Sequence, residues 1–180
     1  MNIFIALLRG INVGGNNILP MRELVRVLDD LGLSRIKTYI QSGNVVFQTE
    51  QEDIEQLAQD ISAAIGKSHG FTPHVLLLDR QEFRAAVAAN PFPEGEREPK
   101  TLHLFFLDAV PSNPDWETLA NLKAESERYR LINRVFYLYA PDGIGRSKLA
   151  EKAERALRVA VTARNWRTVS KVMAMALEVD

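Results

Sequence analysis

Eight residues, Gly10-Ile11-Asn12-Val13-Gly14-Gly15-Asn16-Asn17, stand between an apolar run and an amphipathic segment. Glycines let backbone N–H groups converge, and a helix N-terminus behind them favours negative charge, so the pattern suits an anion. Gly10 and Gly15 have the spacing that opens a Walker A loop, but that loop next needs Lys and Ser/Thr, where this chain has Asn16 and Asn17. Nucleotide hydrolysis of the P-loop kind is not expected. A weaker phosphate site remains, with Arg9 neutralising charge and the amides of Asn12 and Asn16 orienting it. The bland reading is a tight β–α connection whose asparagines bond their own backbone. Both readings stay open at this stage.

Lys37 precedes Gln41-Ser42-Gly43-Asn44, which reads as hairpin chemistry. Lys37 is kept as a candidate cation. The charge distribution points further along the chain. Net charge is −1, yet residues 144–171 carry eight basic and two acidic groups. Attraction to a polyanion would therefore be local rather than global. Arg146 and Lys148 flank Ser147, a natural N-cap. Lys148, Lys152 and Arg155 then follow one helical face, with Arg158 nearby. Arg164, Arg167 and Lys171 recur at i, i+3 and i+7, away from the apolar side of the next helix. Such faces contact phosphate oxygens or are simply solvated.

Catalytic sets are missing. With no cysteine, thiolate chemistry and Cys-ligated metals are out. His69, His74 and His103 lack metal-ligand spacing, no serine sits in a GxSxG elbow, and Glu94, Glu96 and Glu98 read as a solvated cluster. Neither hairpin carries the RRM aromatic signature. The chain offers donors without an evident base. The expectation is binding of a phosphate-bearing ligand, either a phosphorylated small molecule or nucleic acid, with no metal and no cofactor. One alternative is an enzyme acting on a small phosphorylated substrate, with Lys37 or a distant carboxylate as its acid or base. The other is a structural or protein-interaction module.

The elements that position these residues follow from periodicity. Ile3–Leu8 is a continuous apolar run, too short for a membrane span and without a signal-peptide pattern, so a cytoplasmic setting is the default. A helix from near Pro20 to Gly32, strands at Ile36–Ile40 and Val45–Gln48, a helix begun at Ile54 and a strand at Thr72–Leu78 give βαββαβ. That order predicts a ferredoxin-like unit over 1–79. Residues 80–100 read as a linking helix, Gln81–Ala89, and a charged loop, Glu94–Lys100. Over 101–180 the pattern resumes. A strand at Leu102–Leu107 precedes a short helix at Pro114–Leu122 with Trp116 and Leu119 on its buried side. A hairpin turns at Asn133-Arg134, and a helix starts at Ser147. No final strand is legible; Thr162-Ala163-Arg164-Asn165-Trp166 leads into a helix with Trp166, Val169, Val172, Met173, Ala176 and Leu177 as its apolar side. The prediction is an α+β protein whose second half is a degenerate βαββα repeat with a C-terminal helix. Laying residues 42–48 over 131–138 puts Asn44 over Asn133 and Phe47 over Phe136. With an edge left by the missing strand, a monomer or a homodimer is expected, with no membrane partner.

The blocks GINVGGNN, QSGNVVF, GRSKL and TARNWRTVSKV, in this order, resemble the uncharacterised bacterial family known as domain of unknown function 1697. The resemblance covers nearly the whole chain. It implies a small α+β protein with a ferredoxin-like unit and a second α/β portion, and brings no catalytic residue, substrate or cofactor with it.

Overall fold

A computed structural model describes residues 2–179. The apolar run forms β1 (Asn2–Arg9), whose residues from Ile3 to Leu8 are all buried. After the Gly/Asn loop, α1 (Met21–Asp30) starts behind Pro20, buries Leu24 and Leu28, and ends before Gly32, whose φ is +79°. Proline is pre-set for a helix start, and a glycine just past the end takes the left-handed turn. Next come β2 (Ser34–Tyr39), β3 (Asn44–Thr49), α2 (Ile54–His69) and β4 (His74–Asp79). α2 is capped by Asp53, which accepts from the Gln56 amide, and closes on left-handed Gly70. The strands form an antiparallel sheet in the order β2-β3-β1-β4.

α3 (Arg80–Ala88) follows, and the expected charged loop contains a four-residue helix, α4 (Glu94–Arg97). The second set is β5 (Leu102–Leu107), α5 (Trp116–Leu122), β6 (Arg128–Ile132), β7 (Val135–Tyr139), α6 (Lys148–Leu157) and β8 (Val161–Asn165). Its sheet order is β6-β7-β5-β8, with α7 (Trp166–Leu177) beyond it. The chain divides into two compact units. Unit 1 runs to Ala85 and takes back the segment from Lys171; unit 2 is Ala86–Ser170.

The duplication is real and extends further than the sequence pattern. In each unit a phenylalanine on the third strand pairs in register with one on the central strand, Phe47 with Phe4 and Phe136 with Phe105. Their ring centroids lie 6.1 and 5.8 Å apart. The expected loss of a final strand is overturned: Val161–Asn165 pairs along β5, completing βαββαβ in unit 2. Val161-Thr162-Ala163-Arg164 alternates over only four residues with one strongly apolar side chain, and burial does not follow the pattern, since Thr162 is buried and Ala163 exposed; the strand is hydrogen-bonded on a single side. The second repeat is therefore not truncated.

In unit 1 the helix-side core joins Phe4, Ala6, Leu8, Val45, Phe47 and Leu77 to α1 and α2. In unit 2 Phe105, Leu107, Phe136 and Leu138 pack against Leu119 of α5 and Leu149, Ala153 and Leu157 of α6. Two side chains expected inside are not. Trp116 is 49% exposed and Leu177 57% exposed. Leu119 alone anchors the seven-residue α5 as a buried residue, and Leu177 sits at the last position of α7. Among the described residues no helix is long and apolar enough to cross a membrane.

Candidate functional site

The two glycine-containing blocks meet at one end of the first sheet. The Leu8 amide donates to the Gly43 carbonyl at 2.8 Å, and Asn12 Nδ2 donates to the Gln41 carbonyl at 2.8 Å. Asn12 is the pin of this loop. Its Nδ2 also donates to the Leu19 carbonyl, and its Oδ1 accepts from the Leu19 amide. All three hydrogen-bonding capacities that a ligand would use are thus turned inward. Asn17 Nδ2 donates to the Gly10 carbonyl, and the Asn12 amide to the Asn17 carbonyl. Gly14 and Gly15, both at positive φ, make a two-residue turn closed by the Val13–Asn16 bridge. Asn16 reaches back only to the Gly14 carbonyl, at 3.5 Å. Val13 and Ile18 stand exposed in the loop, as does Ile40 just after β2, and Arg9 is exposed at the end of β1.

Lys37 is not an open cation. Its Nζ lies 3.2 Å from the Glu178 carboxylate, in an ion pair within unit 1. Unit 1 also contains a cleft of about 490 Å³ bordered by Asn2, Glu52, Asp79 and Arg80. Two of its charged groups are turned to the protein: Asp79 accepts from the Glu82 amide, and Arg80 donates to the carbonyls of Ala176 and Val179.

The basic residues of the later segment divide. Arg164 is on β8, not on the helix with Arg167 and Lys171, so the i, i+3, i+7 face is not formed. Burial pushes the Arg164 guanidinium down to about 10, and it donates to the Ala163 carbonyl at 2.9 Å. What α7 presents is the exposed i, i+4 step Arg167 and Lys171. α6 presents more. Ser147 caps it, its Oγ accepting from the Ala150 amide. Arg146, in a 3-10 turn just before the cap, is exposed, as are Lys148, Lys152, Arg155 and the closing Arg158. The opposite face carries the buried Leu149, Ala153, Ala156 and Leu157. Among the described residues no ion pair involves Arg146, Lys148, Lys152 or Arg155. Glu151 is the acidic member of this exposed face, while Glu154 is half-buried and accepts from the Val161 amide. The stripe spans about 15 Å at 1.5 Å per residue.

Of the candidate residues, Arg9, Asn12, Asn16 and Lys37 belong to unit 1, whereas Arg146, Lys148, Arg164 and Arg167 belong to unit 2; Lys171 opens the segment returned to unit 1. Sequence reasoning missed Trp116 as a surface residue. The legible signal was its place directly after a helix cap in a very short helix, where one buried side chain suffices.

The histidines stay outside this picture. His69 Nδ1 shares a hydrogen bond with Ser68 Oγ, and His74 is exposed. Among the described residues no group of three or more His, Cys, Asp or Glu could hold a metal ion. His103 lies on the helix-covered face of the second sheet, opposite Leu138 and Asn165, with Nδ1 buried and lacking a hydrogen-bond partner. Burial lowers its pKa from 6.5 to about 4. The unfolded chain therefore takes up a proton near pH 6.5 that the folded chain refuses until about pH 4. Stability should fall as pH drops through that window, by up to about 3 kcal/mol. Urea unfolding at pH 7 and pH 4.5 checks this: His103→Gln should lose less stability between the two than the unaltered protein. Equal losses would assign the acid sensitivity to other groups.

A family model described as a protein of unknown function, DUF1697, matches residues 1–137. No curated protein matches the chain. The solved structure of the conserved bacterial protein SP0830 from Streptococcus pneumoniae is similar over 97% of this chain and 98% of its own, with a TM-score of 0.68 at 24% identity. At that identity the likeness speaks for the fold.

Proposed function

The chain belongs to the DUF1697 family, and we propose that it binds a phosphate-bearing polyanion, nucleic acid being the foremost class, along the exposed cationic face of α6. The observation that carries this reading is the run of Lys148, Lys152 and Arg155 on one solvent-facing side of a capped helix, preceded by the exposed Arg146, none of them in an ion pair among the described residues. Lysine and arginine at successive turns present donors to phosphate oxygens at a helical repeat, and the amino end of the helix adds a favourable dipole. Neighbouring like charges repel one another by a few tenths of a kcal/mol per pair. A polyanion relieves that repulsion on binding. The reading goes with a cytoplasmic setting and with a monomer or homodimer as the binding form.

The test is fluorescence anisotropy of labelled inorganic polyphosphate and of labelled DNA across a salt series. The unaltered protein should bind with log K falling linearly in log salt. A Lys148→Ala/Lys152→Ala/Arg155→Ala variant should bind more weakly, with a DNA salt slope shallower by about 2 to 3, since each lost phosphate contact removes about 0.9. Arg167→Ala/Lys171→Ala serves as the comparison. If this pair abolishes binding while the α6 variant retains it, or if no polyanion binds near physiological salt, the proposal fails.

A further inference from the structure

We infer that the polyanion is a single-stranded nucleic acid, held by its phosphates along α6 and by a base stacked on Trp116; the inference rests on the proposed phosphate-binding face. Both parts lie in unit 2, and α5 meets the carboxyl end of α6. The Asp115 amide donates to the Ala156 carbonyl at 2.8 Å, so α5 begins against the last turn of α6. Trp116 is the next residue and is 49% exposed. The loop before it follows the same end of α6, its Asp108 amide donating to the Ala160 carbonyl, and it carries a second exposed apolar residue, Val110.

An exposed tryptophan is costly surface. Trp166, the other tryptophan of the chain, is 8% exposed on α7. Trp116 is held in place by ordered neighbours: Asp115 accepts from the Thr118 amide and hydroxyl, and Leu119 is wholly buried. Its indole is therefore offered on a firm base.

The polarity of α6 sorts the ligand's parts. At the amino end, Arg146, Lys148 and the helix dipole favour phosphate. At the carboxyl end the dipole disfavours phosphate, Asp115 and Glu117 add negative charge, and Arg158 partly offsets it. An aromatic face at that end suits an uncharged base. A duplex cannot use this platform without unstacking, because its bases are already paired and stacked. A single strand can, since every base has a π-face and stacking tolerates sequence.

The experiment uses the intact chain and fluorescein-labelled oligodeoxythymidine of about ten nucleotides. Binding should quench the emission of exposed Trp116, and Trp116→Phe should bind without that quench. Trp116→Ala should weaken binding about 10-fold, with its fold confirmed by an unchanged circular dichroism spectrum, and unlabelled duplex should compete poorly at equal phosphate. Salt-dependent binding without quenching, a Trp116→Ala variant within twofold of the unaltered protein, or equal competition by duplex would overturn the stacking inference and leave the polyanion reading intact. Failure of the oligonucleotide, polyphosphate and duplex alike to bind would overturn both.

Discussion

Replacing Phe136 by alanine should lower the unfolding free energy by about 3–5 kcal/mol, as for a buried phenylalanine whose cavity cannot collapse. Phe136 is 0% exposed on β7. Its ring meets Phe105 edge-on at 5.8 Å and stacks on Tyr129 at 5.3 Å. Removing it opens a hole between the sheet and α6 and strips both aromatic neighbours of their partner, a further contribution beyond area alone. A urea titration followed by circular dichroism would measure the change, and Phe136→Leu should recover part of it. A loss under about 1 kcal/mol would mean that the core of unit 2 rests elsewhere.

The second large effect is expected at Gly43. Alanine there meets two obstacles. The backbone sits at φ +75°, and an added Cβ would come within 2.6 Å of the Leu8 Cβ and 2.9 Å of the Ile11 Cδ1. Strain contributes about 1 kcal/mol and overpacking about 1–3 more. Gly10→Ala separates the two, because Gly10 has a similar φ of +77° but nothing within 4 Å of its added Cβ. Thermal unfolding should show a distinctly larger drop for Gly43→Ala than for Gly10→Ala. Equal drops would reduce the requirement at Gly43 to conformation alone. QSGN and GINVGGNN meet at this point: the turn at Gly43 packs on Leu8 and Ile11.

Much of the architecture was legible. Helix periods in α1, α2 and α6 report burial of one face, which is a local property, and the caps at Asp53 and Ser147 act within three residues. The register shared by Phe47 and Phe136 marked the repeat because each must oppose a central-strand phenylalanine. The cationic face of α6 was legible for the same local reason.

What escaped depends on partners far along the chain. Strand β8 is a five-residue edge in which polar Thr162 is buried and Ala163 exposed, and only pairing with β5 shows what it is. Asn12 looked like a ligand donor until Gln41, 29 residues away, took its amide. Lys37 looked free until Glu178, 141 residues on, paired with it. Arg164 seemed to extend a helical face and instead lies half-buried on a strand, its guanidinium turned to the Ala163 carbonyl. Trp116 was read onto the buried side of α5 with Leu119, but is 49% exposed where α5 begins against the end of α6. Side-chain period and capping are decided by residues within a turn or two, so composition and spacing determined the elements, the repeat and the chemistry on offer. Which donors stay available to a ligand is decided by long-range pairing and by what burial withdraws from water, and only the tertiary structure could settle that.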